Sequence, residues 1–496
     1  MLAAPRSDLR PNTPDYERLP LVAPTGFREY DARWLFGPEI NLLGVQALGL
    51  GLGTYIHERG VRPDIVTGHD FRSYSGAVKT ALTLGLVAAG CRVHDIGLAL
   101  SPTAYFAQSH LDIASVAMVT ASHNENGWTG VKMGCAGPLT FAPDEMTRLK
   151  DIVLAGQWQE RDGGKLVHVE GMAERHIADV AAGGRLAHRL KVVCACGNGT
   201  AGAFAPQLLE AIGCEVVALD CELDHTFPRY NPNPEDLAML AAISEVVRAS
   251  GADIGLGFDG DGDRCGVVDN EGQAIFADKV GVLLARDFSA RHARAVFVVD
   301  VKSTALFATD PVLSANGATT TYWKTGHSYM KRRTAELGAL AGFEKSGHYF
   351  LRPPIGRGYD DGLLTAAVIC RMLDACAPRS MADLHRELAK TWSSPTLNAH
   401  CPDAAKYRVV DEVTQAVQRL AAAGARFAGQ PIRTLVTVNG VRIELQDGSW
   451  GLVRASSNKP ELVIVAESPT SEETMQGILK AIELELSGYP EVGGYA

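Results

Sequence analysis

Apolar segments of strand length alternate with helical segments along most of this chain. Such chains form layered α/β domains, because the strands pair into a sheet and the helices cover its faces. The predicted elements are amphipathic helix 39–59, a short strand from Asp64, helix 75–89, strand 92–96, helix 103–110, strand 113–119, strand 191–196, helix 203–212, strand 215–219, helix 278–290, strand 295–300, helix 303–308, strand 318–323 and helix 361–375. The last hundred residues differ, since a β-rich stretch at 432–466 lies between predicted helices 408–421 and 471–486. We therefore predict an α/β protein with three α/β domains and a smaller α+β C-terminal domain.

The length of the chain supports this division. At 496 residues it is too long for one ordinary domain, and roughly three to four are expected. The predicted domains cover residues 1–172, 173–274, 275–386 and 387–496.

Composition excludes several classes of protein. Hydrophobic residues make up 46% of the chain and the net charge is -10, which argues against a nucleic-acid partner, since such proteins need a basic face. The first 20 residues have no apolar core of a signal peptide and read as a loose lead-in, and no stretch is apolar enough for a membrane span. The ten cysteines include no Cys-x-x-Cys pair, so reduced thiols and a cytoplasmic location are expected. Cys194 and Cys196 are interpreted as small buried side chains rather than metal ligands.

The stretch Thr120-Ala-Ser-His-Asn-Glu-Asn-Gly-Trp-Thr-Gly-Val-Lys132 directly follows a predicted buried strand. A strand that ends in a polar, glycine-containing loop presents its side chains at a sheet edge. Ser122 would have His123 and Lys132 nearby, a set better suited to binding a phosphoryl group than to deprotonating an alcohol. A plain polar turn is the alternative.

A second loop, Asp259-Gly-Asp-Gly-Asp-Arg264, also follows a predicted strand. Three carboxylates this close repel one another unless they bind a cation, and oxygen ligands select a hard divalent ion such as Mg²⁺. A calcium EF-hand is excluded, because Arg264 and Asn270 occupy the positions that need Gly and Glu.

Two loops of the third predicted domain carry further polar groups. Trp323-Lys-Thr-Gly-His-Ser328 places Lys324 and His327 on a loop, where His327 is either a proton shuttle or an ordinary hydrogen-bonded histidine. Phe343-Glu-Lys-Ser-Gly-His348 offers the donors and acceptors that sugar hydroxyls require.

Charged residues also stand at the ends of other predicted elements. Asp300-Val-Lys-Ser303 and Gly358-Tyr-Asp-Asp-Gly362 supply more of them, and helix capping by Asp360 or Asp361 is equally plausible. Near the C-terminus, Gly451-Leu-Val-Arg-Ala-Ser-Ser-Asn-Lys-Pro460 joins two predicted strands. Its Arg454, Ser456, Ser457 and Asn458 form either a phosphate-binding loop or a plain hairpin turn.

These motifs together resemble those of the α-D-phosphohexomutase superfamily, and within it most closely the bacterial phosphomannomutase/phosphoglucomutase family. The resemblance covers nearly all of residues 25–470, and the Ser122 and Asp259–Arg264 motifs are highly specific. It implies three similar α/β domains with mixed sheets and a smaller C-terminal domain around a central cleft. It also implies that Ser122 is a phosphoserine and that Mg²⁺ is bound there by Asp259, Asp261 and Asp263.

The resemblance implies roles for the remaining motif residues as well. The expected catalytic residues are Ser122, His123, Lys132, Arg264 and His327. The expected substrate-binding residues are Tyr30, Arg33, Lys302, Lys324, Glu344, Ser346, His348, Arg454, Ser456, Ser457 and Asn458.

The chain departs from the usual family pattern at a few places. Ala32-Arg-Trp34 stands where Ile-Arg-Gly is usual, Glu125-Asn-Gly replaces a common proline pair, and Asn458-Lys459 stands where threonines are frequent. Lys345 occupies a position that varies between subfamilies, and together with the stretch Trp323-Lys-Thr-Gly-His it favours the mannose/glucose branch.

The expected reaction is reversible phosphoryl transfer between the 6- and 1-positions of a hexose phosphate. Mannose and glucose phosphates are the expected substrates, a hexose 1,6-bisphosphate is the intermediate and activator, and His327, Lys132 or both handle the hydroxyl proton. A phosphoglucosamine mutase, a metal-dependent sugar phosphatase and a non-enzymatic sugar-phosphate binder are the alternatives. A monomer or homodimer is expected.

Overall fold

The computed structural model describes residues 10 and 13–494. Most of the first part of the predicted lead-in, before Thr13, therefore lies outside the described residues. The rest of it contains a short helix, α1 (Pro14–Arg18). The chain forms two compact units, one of residues up to 275 together with 346–382, the other of residues 276–345 together with 383 onward. Across the described ranges, no helix is both long and apolar enough to cross a membrane.

The first unit begins with a mixed sheet in the strand order β1-β5-β4-β2-β3-β6. Its elements are β1 (Ala32–Leu35), α2 (Leu42–Glu58), β2 (Asp64–His69), α3 (Ser75–Ala88), β3 (Arg92–Leu98), α4 (Ser101–Leu111), β4 (Ser115–Val119), β5 (Trp128–Gly134), α5 (Pro143–Ala155) and β6 (Lys165–His168). Strands β2, β3, β4 and β6 run parallel, whereas β5 is antiparallel to both β4 and β1. Because β2 and β4 are parallel neighbours, the loops after them lie at the same sheet edge.

Helix α2 was predicted to be amphipathic, but most of its residues from Gly44 to Ile56 are buried. It packs closely on α3, since a methyl group on Gly49 would lie 2.2 Å from the Leu82 carbonyl oxygen and one on Gly85 would lie 2.1 Å from that of Gln46. The glycines therefore allow two helix backbones to approach more closely than larger side chains permit.

A second mixed sheet follows in the same unit, in the order β11-β10-β9-β7-β8. Its elements are α6 (Met172–Ala181), β7 (Lys191–Ala195), α7 (Ala205–Ile212), β8 (Glu215–Leu219), α8 (Leu237–Ser250), β9 (Ile254–Phe258), β10 (Cys265–Asp269) and β11 (Ala274–Ile275). Strand β7 is parallel to β8 and β9, and β10 turns back antiparallel to β9. The loop between β9 and β10 is Asp259–Arg264, as the strand before this motif predicted.

The second unit begins with a sheet in which β12 pairs in parallel with β13 and β14. Its elements are α9 (Ala277–Arg291), β12 (Val296–Asp300), α10 (Leu306–Thr309), α11 (Pro311–Ala315), β13 (Thr319–Trp323), α12 (His327–Glu336) and β14 (Ala341–Phe343). One expectation is wrong here, because His327 does not lie on a loop but is the first residue of α12. The helix starts directly after Gly326, whose φ of 129° ends the extended segment.

Residues 346–382 belong to the first unit. They contain β15 (Tyr349–Leu351), α13 (Gly362–Ala375) and the start of α14 (Met381–Arg386), and α13 packs near α6 and α7. The predicted domain bounds at 172, 274 and 386 stay a prediction.

The C-terminal part has an antiparallel sheet in the order β16-β22-β21-β20-β19-β18, with β17 also on β22. Its elements are β16 (Trp392–Ser393), β17 (Leu397–His400), α15 (Lys406–Ala422), β18 (Arg426–Phe427), β19 (Gln430–Val436), β20 (Val441–Leu445), β21 (Trp450–Ala455), β22 (Glu461–Ser468) and α16 (Glu472–Leu486). Both helices bury their apolar faces in one core with the sheet, through residues such as Val413 and Ile478. This is the α+β part that the sequence predicts.

Candidate active site

Ser122 lies in the loop between β4 and β5 and is 2% exposed. Its φ of 53° places a non-glycine residue in the left-handed region, which is uncommon and marks a position held by its surroundings. Its hydroxyl oxygen lies 3.3 Å from Nδ1 of the half-buried His123 and 3.4 Å from a carboxylate oxygen of Asp259. The Ser122 hydroxyl therefore faces the loop Asp259–Arg264, which we call the acidic loop.

Three residues that the sequence analysis did not assign hold this backbone. The Thr120 hydroxyl accepts a hydrogen bond from the Ser122 N–H at 2.8 Å and donates to Asp70 at 2.9 Å. Arg72 forms a buried ion pair with Asp70 and donates to the carbonyls of Ser122 at 2.9 Å and Asn124 at 2.6 Å. These hydrogen bonds pair the backbone groups of the turn at Ser122 and hold its positive φ.

The predicted residues Tyr30 and Arg33 flank this loop from β1 and the segment before it. Both are buried. Arg33 pairs with Asp31 at 2.8 Å and donates to the Asn124 side chain at 2.7 Å. Arg33 therefore supports the serine loop.

The carboxylates of Asp259, Asp261 and Asp263 are each 0% exposed, and a ligand oxygen from each lies within 4.8 Å of the others. The loop can approach Ser122 because Gly260 has no side chain, since a methyl group there would lie 2.5 Å from the Ser122 carbonyl oxygen. Three buried carboxylates beside one hydroxyl form a concentrated negative site.

Lys132, on β5, partly balances this charge. Its ammonium donates to Asp261 at 2.7 Å and also contacts Asp263, while the Ser101 hydroxyl donates to Asp261 at 2.5 Å. The remaining Oδ1 atoms of Asp261 and Asp263 are buried and accept no hydrogen bond from any described residue. Burying a carboxylate oxygen without a hydrogen-bond donor has an unfavourable free energy, which a ligand bound to these two atoms would offset.

The pKa values follow from this arrangement. Burial, together with the charges of Asp263 and Asp261, raises the pKa of Asp259 well above its ordinary value. Burial also acts on Asp261, but the Lys132 ammonium and its hydrogen bond lower the pKa of that carboxyl. Against its own burial, Asp261 and Asp263 raise the pKa of Lys132 well above its ordinary value. Lys132 is therefore a fixed cation, and a second source of positive charge would stabilise Asp259.

A divalent cation fits the three aspartates on these observations. The set offers only hard oxygen donors, two of them buried and without a hydrogen bond from any described residue. Its three negative charges exceed the two positive charges of Lys132 and of Arg264, whose Nε lies 3.7 Å from Asp259. Such a donor set selects Mg²⁺ or a similar ion over soft metals.

Arg264, at the end of the acidic loop, connects it to His348. Arg264 Nε donates to His348 Nε2 at 2.9 Å, so Nε2 carries no proton and the proton of the neutral ring is on Nδ1. Nδ1 lies 3.0 Å from Asp360 and 3.6 Å from Asp263. Of the two aspartates proposed as helix caps, Asp361 caps α13 by accepting from Leu364 N–H at 3.0 Å, and Asp360 faces His348 instead.

The second unit brings together most of the predicted sugar- and phosphate-binding residues. Glu344 is buried and accepts a hydrogen bond from the Gly326 N–H at 2.7 Å, directly before His327, which is also buried. Lys324 lies over the ring of Tyr329, 5.3 Å from its centroid. Ser346, also buried, and His348 belong to the first unit, because the bound between the units falls after Lys345.

The side chain of Lys345, which was expected to influence substrate preference, contacts other residues of the second unit. Its ammonium lies 3.8 Å from Asp278 and 4.4 Å from the centroid of the Phe276 ring. Its side chain therefore packs against these two residues, and its backbone N–H donates to Asp300 at 3.3 Å.

Arg454 lies at the end of β21, and the loop that follows it contains Ser456, Ser457 and Asn458, of which the two serines are buried. One guanidinium nitrogen donates to the carbonyl of Ala455 at 2.8 Å and to the Asn439 side chain at 3.2 Å. The Nε of Arg454 is buried and has no hydrogen-bond partner among the described residues.

The loop is supported from below by Lys406, whose ammonium donates to the carbonyls of Ser456 at 2.5 Å and Lys459 at 2.9 Å. Asn439 also accepts from the Thr325 N–H at 3.3 Å, and the Thr325 hydroxyl donates to Asp300 at 2.9 Å. A chain of hydrogen bonds thus connects Arg454, at the start of this loop, to the segment around His327 within the second unit.

Lys302 is the most informative cation of the second unit. It is 5% exposed, yet within the described part of the chain its ammonium forms neither a hydrogen bond nor an ion pair. A largely buried lysine whose ammonium has no anionic partner offers a position that an anionic ligand could occupy.

Sequence reasoning missed Asp70, Arg72, Ser101 and Asp360 as members of the site. The short Asp70-Phe-Arg72 turn follows a strand, β2, that pairs in parallel with β4, and this was the available signal. The neighbouring carboxyl ends of such strands share one edge, where Arg72 reaches the Ser122 loop.

Comparison with known proteins agrees with this architecture. The family descriptions that match are the phosphoglucomutase/phosphomannomutase alpha/beta/alpha domains I, II and III and the C-terminal domain, over residues 24–160, 168–272, 276–392 and 397–484. The predicted fold class, three α/β domains with mixed sheets and a C-terminal domain with its own sheet, is thereby confirmed.

Individual relatives cover almost the whole chain. A phosphomannomutase/phosphoglucomutase of Pseudomonas putida is 36% identical, over 90% of this chain and 92% of its own. A probable phosphoglucosamine mutase of Methanothermobacter thermautotrophicus is 29% identical, over 89% and 93%. The crystal structure of a phosphoglucomutase/phosphomannomutase family protein from Burkholderia thailandensis superposes with a TM-score of 0.83 at 29% identity, over 96% of this chain and 100% of that one. The chain therefore belongs to the phosphoglucomutase/phosphomannomutase family of isomerases.

Proposed function

We propose that this enzyme reversibly transfers a phosphoryl group between the 6- and 1-positions of mannose phosphates and of glucose phosphates. Ser122 carries the phosphoryl group, and a hexose 1,6-bisphosphate is the intermediate. The observation that carries the proposal is the Ser122 hydroxyl, 3.4 Å from Asp259 in a loop whose positive φ is fixed by Thr120 and Arg72. The serine lies beside buried carboxylates, two of which have an oxygen atom that accepts no hydrogen bond from a described residue. Such an arrangement can hold a charged phosphoryl group through a cation.

The proposed reaction conserves its groups in two half-steps. The Ser122 Oγ–P bond breaks as the free sugar hydroxyl forms its bond to phosphorus, and the proton of that hydroxyl passes to a base. After the bisphosphate turns over, the other phosphoryl group returns to Ser122 and the proton returns to the sugar oxygen. In-line transfer of this kind depends mainly on positioning and charge stabilisation.

Asp259, Asp261 and Asp263 would hold Mg²⁺, which when bound would supply positive charge to stabilise the transferring phosphoryl group. Lys132 keeps two of these carboxylates in place, and Arg264 fixes the loop and the His348 ring. His123, 3.3 Å from the Ser122 hydroxyl, is near enough to donate to a phosphoryl oxygen.

The fixed charge of Lys132 favours His327 as the base, since an ammonium held between two carboxylates cannot accept a proton. His327 is the first residue of a helix. Histidine is also the side chain whose ordinary titration range suits proton transfer near neutral pH.

In the second unit, Lys302 and the Arg454 loop would bind the phosphate that does not react. Among the described residues, the buried Nε of Arg454 has no hydrogen-bond partner, and the side chain of the largely buried Lys302 forms neither a hydrogen bond nor an ion pair. Contacts to sugar hydroxyls are proposed for Glu344 of the second unit and for Ser346 and His348 of the first, and further substrate contacts are proposed for Tyr30, Arg33 and Lys324. Since the bisphosphate has to bind in both orientations, this anchor accepts either phosphate.

Replacing Arg454 with Met should lower kcat/KM by roughly 10- to 100-fold, mainly through a higher KM, because a charge-assisted contact to phosphate is lost. The loss should be similar for a 1-phosphate and a 6-phosphate substrate. Steady-state kinetics in both directions measures this. Arg433→Met is the matched control, since Arg433 is exposed and pairs with Glu444 at 3.1 Å in the same sheet. A loss in one direction only would contradict a shared anchor.

The test of the function is turnover of mannose 1-phosphate, glucose 1-phosphate and glucosamine 1-phosphate with Mg²⁺ and a trace of hexose 1,6-bisphosphate. We expect the 6-phosphates of mannose and glucose to form without release of inorganic phosphate. Preference for glucosamine 1-phosphate would assign the chain to the phosphoglucosamine branch instead. Release of phosphate without isomer formation would identify a phosphatase, and ligand binding without any turnover would identify a binding protein.

A further inference from the structure

Three cysteine side chains meet beside the second sheet of the first unit. Cys194 is the last but one residue of β7, Cys196 directly follows that strand, and Cys221 lies two residues after β8, which is the parallel neighbour of β7. The sulfur atoms of Cys194 and Cys196 are 3.9 Å apart, those of Cys196 and Cys221 are 3.6 Å apart, and all three lie within 4.8 Å of one another. The pair that the sequence analysis interpreted as packing residues therefore acquires a third thiol from another strand.

The sulfur spacing corresponds to thiolate ligands around one ion. A Zn–S bond of about 2.3 Å at a tetrahedral angle places two sulfur atoms about 3.8 Å apart. A disulfide needs about 2.0 Å between its sulfur atoms, so either Cys pair would have to move considerably to form one. The observed separations of 3.6 and 3.9 Å suit metal ligation without rearrangement.

The three cysteines differ in their exposure to solvent. Cys194 and Cys196 are 0% exposed, whereas Cys221 is partly exposed. An ion could enter past Cys221 and keep a water molecule on that side. Thiolate ligands select soft or borderline d¹⁰ ions over Mg²⁺, so this site and the aspartate site take different metals.

We propose that Cys194, Cys196 and Cys221 form a thiolate site for Zn²⁺ or a similar soft ion, separate from the phosphoryl-transfer chemistry. The site joins the ends of β7 and β8. The loop from Gly197 to Thr200 follows Cys196 directly, and the Thr200 N–H donates to the Gly260 carbonyl at 3.3 Å, so the ion would also steady the support of the acidic loop. Its role is to stabilise this edge of the sheet.

The test uses the reduced full-length chain, with Mg²⁺ in excess, titrated with Cd²⁺ as a probe for sulfur ligands. We expect a thiolate-to-cadmium charge-transfer band that saturates at about one ion per chain, and competition by Zn²⁺. The band should be lost in Cys221→Ser and Cys196→Ser. It should be retained in Cys376→Ser, which removes the other partly exposed cysteine.

A second measurement on the unsubstituted protein covers variants that fold poorly. Bound Zn²⁺ should protect Cys221 but not Cys376 from alkylation, as mapped by peptide mass spectrometry. An equal band in Cys221→Ser, a stoichiometry well below one, or oxidation to a Cys196–Cys221 disulfide in a chain that binds no ion would overturn the proposal.

Discussion

Replacing Ser122 with Ala should reduce mutase turnover by at least about a thousandfold, because the proposed mechanism has no other carrier for the phosphoryl group between half-reactions. Binding of hexose phosphate should change little, since the anchoring cations proposed above lie elsewhere in the chain. Alanine keeps the fold of the loop, because it adopts the left-handed conformation of Ser122 as readily as serine does. Coupled assays of glucose 1-phosphate conversion measure turnover, and calorimetry measures binding.

The covalent state of Ser122 provides an independent readout. Unsubstituted protein incubated with glucose 1,6-bisphosphate should gain one phosphoryl group, located on Ser122 by mass spectrometry, and Ser122→Ala should gain none. Ser314→Ala, on an exposed helix position, is the control and should behave like the unsubstituted protein. Normal turnover in Ser122→Ala would refute the assigned role.

The second large effect concerns the acidic loop. The three carboxylates outnumber the two cationic side chains that contact them, Lys132 and Arg264, so a divalent ion would offset the remaining negative charge. Chelation should therefore abolish turnover, and Mg²⁺ should restore it. Asp261→Asn should raise the Mg²⁺ concentration for half-maximal activity by roughly 10- to 100-fold, because it removes one charge and one partner of Lys132.

A thermal readout separates metal binding from catalysis. An ion that binds only the folded chain raises its melting temperature, and this rise should shrink in Asp261→Asn. Asp236→Asn is the matched control, because Asp236 caps α8 by accepting from Ala238 and Met239, and asparagine caps helices equally well. If both variants respond to Mg²⁺ like the unsubstituted protein, the aspartate loop is not the metal site.

Much of the fold follows from local pattern, because strands and helices carry their own periodicity. Strand β9 and the acidic loop were predicted from an apolar run followed by alternating Asp and Gly, and the fold class is confirmed. The start of α12 at His327 was missed, since the Gly326 turn reads equally as a loop in sequence.

Contacts between distant segments are what the sequence cannot provide. Lys132 meets Asp261 across 129 residues, and Cys221 meets Cys194 across 27 residues. The sequence places Lys132 near Ser122, but its contact with Asp261 depends on which loops the two sheets bring together. The same holds for Asp360, whose neighbour Asp361 makes the expected cap.

The positive φ of Ser122 restricts which alcohol this loop can offer. A β-branched side chain in the left-handed region clashes with its own backbone, so threonine is strongly disfavoured there. The loop is thus selective for a primary alcohol, whose single γ-oxygen rotates freely about the Cα–Cβ bond between His123 and Asp259. The backbone conformation of the loop thus favours serine over threonine as the proposed phosphoryl carrier.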